Sequence, residues 1–282
     1  MTRLGLWSVA VLVFLRKMNV LFLAVDDLKP MIAAYEPPAY GFMQTPHMDR
    51  LAADSLLLRQ AHVQQAICGA SRASVLTGRR PDTTHVYDIS TYFRDVGCAE
   101  CVTIPGLFKE AGYETLGMGK IFHPAGMGSE HIDGLHSWSD PDSYFYPADD
   151  WQVRNMMAPG LQEAGLRGNY SWLAIDESDG KTQDTLVAEH AVRTIANLSA
   201  ATAAAATDAK SPPAPPFFLA VGFHKPHLPW IVPERFFNVR SRRKKTCNSS
   251  IVTILTPIAL LCRECYMYAY YFSSWHGNRY YF

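Results

Sequence analysis

Cysteine is scarce, six in 282 residues, and that density is too low for a fold held by a disulfide framework. An excess of one charge is lacking too: 26 basic and 26 acidic side chains cancel, so bulk charge does not make the chain a nucleic-acid binder. The apolar run near the N-terminus, Leu4 to Leu15, is too short to span a bilayer comfortably. Charged residues are only 18%, yet 48% hydrophobic and 12% aromatic residues exclude wholesale disorder, a collagen-like repeat or a long coiled coil. What is present is apolar mass for one large domain or two small ones with a real core.

The neutral total hides a split. Up to Phe237 the chain carries 19 Lys/Arg against 25 Asp/Glu, while Asn238 to Phe282 carries 7 against 1. The cysteines are uneven as well. Cys68 stands alone, whereas Cys98/Cys101 and Cys262/Cys265 are C-x2-C pairs that could in principle close a tetrahedral zinc site. Against that reading, the first pair has no glycine-containing knuckle. Arg3 followed by the Leu4–Leu15 run has the order of a signal peptide, so residues 1–17 read as a signal or anchor segment, or as a mis-assigned start. Asn-x-Ser sequons at Asn169, Asn197 and Asn248 are compatible with export.

Apolar runs at Met18 to Val25, Tyr113 to Met118 and Phe217 to Phe223 read as buried strands. Between them, Thr45-Pro46 starts a helix expected to run through Arg59. Ile104 to Ala111 is a second helix, and Thr182 to Leu198 a third with Leu186, Val187, Ala191 and Ile195 on one face. Ala200 to Pro216 reads as a linker or insertion. Buried strands alternating with helices define an α/β fold with a mainly parallel sheet covered on both faces, whose chemistry gathers beyond the carboxyl ends of the strands.

Reactive residues fall at those ends. The first strand runs into Asp26-Asp27, the second into Gly119-Lys120-Ile121-Phe122-His123, the third into His224-Lys225-Pro226-His227. Adjacent carboxylates repel, so the pair reads as ligands of a divalent cation, calcium or magnesium, or else as a helix N-terminal cap. Lys120 with His123, and Lys225 with His227, could hold an anion and move a proton, or be ordinary loop residues. In Cys68-Gly69-Ala70-Ser71-Arg72, a thiol starts a short helix and a guanidinium follows one turn on. That pattern suits a thiolate or oxyanion site, or a buried structural cysteine.

Cys-x-Ala-Ser-Arg-x4-Thr-Gly-Arg, from Cys68 to Arg79, resembles the signature of the type I sulfatases, in which the cysteine is oxidised to formylglycine. Gly119 to Pro124 and Phe217 to His227 are similar to sulfatase text as well, and the likeness runs from about Asn19 to Phe237. The resemblance implies an alkaline-phosphatase-like α/β sandwich and hydrolysis of sulfate esters of a sulfated sugar or polysaccharide, an iduronate-type sugar first. It implies one Ca2+ held by Asp26, Asp27 and the modified Cys68, with Arg72 steadying the formylglycine. Lys120 and His227 would bind sulfate oxygens, and His123 would serve the formylglycine hydroxyls. It also implies a formylglycine-generating enzyme as partner and a lysosomal or secreted location.

The sequence departs from that pattern at two places. Ala70 stands where the usual signature has proline, and no Asp-His-Gly segment is present; Trp275-His276-Gly277 is the nearest text. The expectation is therefore an incomplete, N-terminal part of the fold in residues 18–237. Residues 238–282, with Arg240 to Lys245 and nine aromatics, are read as an unrelated tail of the kind a translated intron or frameshift leaves.

Overall fold

The structure, a computed structural model, describes residues 17–35, 44–124, 132–147, 172–176, 181–207, 210, 212–227, 230–238 and 265–272. The Leu4–Leu15 run, Asn169, Asn248, Cys262 and the basic cluster lie outside the described residues; Asn197 is exposed.

In chain order the elements are β1 (Asn19–Asp26), α1 (Pro46–Ala53), α2 (Cys68–Thr77), α3 (Pro81–Thr84), α4 (Phe93–Val96), α5 (Ile104–Glu110) and β2 (Glu114–Gly119). They continue with α6 (Gly134–Ser137), β3 (Tyr144–Phe145), β4 (Trp172–Ile175), α7 (Gln183–Thr207), β5 (Phe217–Phe223), β6 (Trp230–Pro233), α8 (Arg235–Asn238) and β7 (Cys265–Phe272). Five strands form one parallel sheet in the order β3-β2-β5-β1-β7, and β4 pairs with β6 in a separate parallel ribbon. No helix among the described residues is long and apolar enough to cross a membrane.

Both faces of the sheet are covered, as continuous apolar strands require. Successive side chains of a strand point to opposite faces. Val20, Phe22 and Ala24 of β1 accordingly join Phe218 and Ala220 of β5 in a core closed by Ala70, Ala73 and Leu76 of α2, Phe93 and Trp138. Leu21, Leu23 and Val25 face the other way, into a core with Leu219, Val221, Phe223 and the α7 residues Val187, Ala188, Ala191 and Ile195. Leu21, Leu219, Val221 and Val187 have no exposed surface, and each such side chain contributes roughly 1.5–3 kcal/mol.

Four local expectations change. α1 stops at Ala53 because Asp54 and Ser55 turn back on it, Asp54 N–H to Leu51 O at 3.2 Å and Ser55 Oγ onto the same carbonyl, leaving Leu56 exposed. The stretch from Ala200 read as linker is helical up to Thr207, since alanine is the best helix former and the Thr202 hydroxyl bonds Leu198 O at 2.9 Å. Cys98 and Cys101 are disulfide-bonded to each other, so they are not half of a zinc site. Within the region read as an unrelated tail, where neither strand nor helix spacing persists, Cys265–Phe272 forms β7 and pairs with β1 from Asn19↔Cys265 to Asp26↔Phe272; tyrosine and phenylalanine favour strands.

Candidate active site

Asp26 ends β1 and has no exposed surface; Asp27 follows with φ 57°, turning the chain out of the sheet. Cys68 opens α2 and is buried, and every residue of that ten-residue helix except Val75 is buried with it. Gly69 is fixed by sterics: a β-carbon there would strike the Asp88 carbonyl. Such a helix start faces the strand ends because α2 packs its apolar stripe on the β1 and β5 face.

Arg72, one turn after Cys68 and 1% exposed, is the hub of the cluster. Its Nη2 lies 3.1 Å from Asp26 Oδ1, while Nη1 donates to Lys120 O and, at 2.8 Å, to Ile121 O. Lys120 Nζ pairs with the other oxygen, Asp26 Oδ2, and is itself 2% exposed. The loop that carries it is shaped by two glycines. Gly119 has φ 67°, and β-carbons at Gly119 or Gly222 would collide with the opposing backbone, Gly222 O and Lys120 C respectively. Lys120 N–H then donates to Gly222 O at 2.9 Å. His123, buried, closes the same loop.

The β5 loop brings in the last group. His227 Nε2 lies 3.9 Å from Asp27 Oδ2, and the ligand atoms of Asp26, Cys68 and His227 all lie within 4.8 Å of one another. The structure therefore gathers Asp26, Asp27, Cys68, Arg72, Lys120 and His227 at one sheet end, with His123 on the Lys120 loop. Two groups escaped the sequence reading. Tyr144, on β3, donates from its hydroxyl to Gly119 O and accepts from Ile121 N–H at 3.3 Å, so it grips the same Lys120 turn that Arg72 holds by its carbonyls. Asp184, near the start of α7, accepts His224 N–H at 2.7 Å and Lys225 N–H at 2.8 Å. A tyrosine and a helix-start aspartate carry no local sign of such distant backbone partners.

Electrostatics follow from this packing. Burial opposes ionisation of Asp26, but the Arg72 and Lys120 charges outweigh it and hold the carboxyl well below the usual carboxylate range. Burial pushes the Cys68 thiol up, with Asp26 adding to the effect against Lys120 and Arg72, so the unmodified residue is a neutral thiol at pH 7. The His224 imidazole is held well below its ordinary value by burial and by the Lys120 and Lys225 cations. Burial likewise raises the Tyr144 phenol and the Asp184 carboxyl.

The sequence model of the Sulfatase family matches residues 18–276, and the chain belongs to that family. It is 38% identical over 223 residues to iduronate 2-sulfatase of Mus musculus, covering 78% of this chain and 37% of that protein. With a sulfatase of Formosa agariphila the identity is 35% over 237 residues, covering 79% of this chain and 42% of the relative. The chain thus spans well under half the length of these relatives. Among solved structures, the phosphonate monoester hydrolase of Agrobacterium radiobacter superposes with a TM-score of 0.54 at 20% identity, covering 82% of this chain and 45% of the other. The fold is the alkaline-phosphatase-like α/β arrangement, present in part.

Proposed function

We propose that the chain carries the catalytic part of a sulfuric ester hydrolase, in residues 18–237, that removes sulfate from a sulfated sugar of the iduronate type. The observation that carries the reading is the convergence of Asp26, Cys68 and His227 within 4.8 Å at the end of a parallel sheet, with Lys120 and Arg72 on the same carboxylate. An oxyanion carrying the charge of a sulfate ester needs cations fixed before it arrives, and buried ones act in a low dielectric where they count most.

Calcium takes six to eight oxygen ligands, and the donor chemistry here fits one side of such a shell. Asp26 and Asp27 would hold the ion together with an oxygen at residue 68, for which Cys68 Sγ marks the position. When bound, calcium would draw charge from the sulfate oxygens and from the residue 68 oxygens. Oxidation of Cys68 to formylglycine by a formylglycine-generating enzyme would supply a geminal diol, one oxygen to attack sulfur and the other to expel sulfate afterwards. The thiol's raised pKa accords with a residue that needs this conversion before it can act. Lys120 and His227 would bind the sulfate oxygens. Arg72, tied to Asp26 and to two carbonyls of the Lys120 loop, would keep the strand ends in register, and His123 would take and return the hydroxyl proton at residue 68.

The same identity to iduronate 2-sulfatase supports a route through the secretory pathway to the lysosome or outside the cell, and the exposed Asn197 sequon accords with it. A second reading, an anion-binding protein without turnover, is favoured by one observation. Among the described residues only one group of three candidate metal ligands is found, and its carboxylate already has two cationic partners. One experiment separates the two. Co-expression with a formylglycine-generating enzyme is followed by mass analysis of the Cys68 peptide and an aryl-sulfate assay. Sulfatase function requires the peptide to lose hydrogen sulfide and gain an oxygen atom, and turnover to vanish in Cys68→Ala. A converted peptide in a folded, inactive chain would establish the binding reading instead.

A further inference from the structure

Asp184 is a buried carboxylate near the site, 2% exposed, and both its oxygens are taken by backbone amides. Oδ1 accepts the His224 amide at 2.7 Å and Oδ2 the Lys225 amide at 2.8 Å, two successive N–H groups gripped by one side chain. Hydrogen bonds to an ionised acceptor are shorter and stronger than neutral ones, and a paired set fixes direction as well as distance.

What the carboxylate stands on matters as much. Thr182 caps the helix start, its hydroxyl accepting Thr185 N–H at 3.1 Å, and Val187 and Ala191 just beyond are fully buried against the sheet. Val187 reaches Gly119 as well, since a β-carbon there would sit 3.1 Å from Val187 Cγ2. The gripped amides open a turn in which His227 N–H donates to His224 O at 3.0 Å and Lys225 Nζ donates to His227 O at 3.2 Å. A rigid helix thereby sets the position of a loop whose far end is His227, within 4.8 Å of Asp26 and Cys68.

We infer that Asp184 is a positioning residue for the anion site: its carboxylate orients the His224–His227 turn so that the His227 imidazole meets the sulfate group. Its role as a binding determinant rests on the sulfatase reading of His227, whereas its hold on the loop does not. Asp184→Asn keeps the size and one acceptor but turns an NH2 toward the second amide, and Asp184→Glu keeps both oxygens on a longer arm.

The test measures binding of inorganic sulfate by calorimetry, the His227 ring resonances by NMR, and amide exchange at His224 and Lys225, all on the full chain. In Asp184→Asn the ring resonances move, the two amides exchange faster, and sulfate binds about tenfold more weakly, the loss expected for one charge-assisted hydrogen bond. On top of His227→Ala the same substitution changes sulfate affinity less than about twofold, because the two act through one group. Asp184→Glu recovers part of the affinity. A cooperatively folded Asp184→Asn with unmoved His227 resonances and unchanged sulfate affinity overturns the inference, as does failure of both Asp184 variants to fold, which would make the residue a fold determinant only. A wild-type chain whose sulfate affinity is indifferent to His227→Ala overturns the sulfatase reading of His227, and with it the binding role; the ring resonances then decide the hold on the loop.

Discussion

Replacing Asp26 by asparagine leaves two buried cations without their carboxylate. Asp26, Arg72 and Lys120 are 0%, 1% and 2% exposed, and each carboxylate oxygen faces one cation. The three together carry a net positive charge, so the aspartate is what makes burial of the other two tolerable. Removing one partner of a buried pair costs about 3–5 kcal/mol, since the remaining charge stays desolvated. Arg72 keeps the carbonyls of Lys120 and Ile121 as acceptors, which softens its share, whereas the Lys120 ammonium loses the carboxylate oxygen it pairs with. With roughly 2–4 °C per kcal/mol for a chain of this size, the expected fall in Tm is about 6–20 °C.

The assay is thermal unfolding followed by circular dichroism, in EDTA so that no metal enters. Adding Lys120→Met to Asp26→Asn removes one orphaned ammonium and is expected to recover about half of the loss. The sign with pH also follows. Because the folded pKa of Asp26 is depressed, its contribution is fully present above the ordinary 3.8 and is lost as pH falls toward the folded value. The difference between wild type and Asp26→Asn is therefore full at pH 7 and shrinks below about pH 4. An Asp26→Asn chain that melts within about 2 °C of wild type at pH 7 would refute the argument that this carboxylate compensates the two cations.

Three further outcomes are expected. Glu114, whose pKa is raised by burial and by Asp140, is harder to ionise in the folded chain, so Glu114→Gln should raise Tm at pH 7 and the gain should vanish below the ordinary 4.5, as differential scanning calorimetry at two pH values would show. Asp133 has no exposed side-chain surface and accepts from Arg94 Nη2 at 3.0 Å and from Arg94 Nε, Tyr92 and Ser137 at 2.5 Å, so Asp133→Ala should cost about 3–5 kcal/mol in a urea titration. Reducing the Cys98–Cys101 disulfide, which closes a loop three residues apart in sequence, should cost no more than about 2 kcal/mol, and a larger loss would mean that the bond organises more than its own turn.

The strands were legible because burial on both faces writes itself as unbroken apolar text. Leu21, Phe22 and Leu23 cannot alternate with polar residues when α2 and α7 cover opposite sides, so β1 and β5 could be located and the sheet inferred to be parallel. The ends of helices were less legible. Nothing in apolar periodicity says that Asp54 and Ser55 will turn back on α1, and the alanines after Ala200, lacking a buried face, looked like linker although they sustain helix on propensity alone. β7 was hidden for another reason: Tyr266, Tyr268 and Tyr270 recur at every second position, but that spacing does not persist through residues 238–282, so the tail as a whole gave no period to count.

Site residues separate along the same physical line. Cys68 and Arg72 are four apart on one helix, so their closeness is plain from spacing alone, and the strand-end rule puts Asp26, Lys120 and His227 at the same end of the sheet. Spacing does not show which group neutralises which. Asp26 is paired by Arg72 and Lys120 only because Gly119 and Gly222 allow β2 and β5 to approach until Lys120 N–H reaches Gly222 O at 2.9 Å, a fact of tertiary distance. Tyr144 and Asp184 were invisible for a further reason: their partners are backbone groups of other segments, and a peptide amide or carbonyl leaves no trace in residue identity. The side chains gathered at the sheet end can thus be read from a motif, whereas those that hold their loops in place have to be found in the fold.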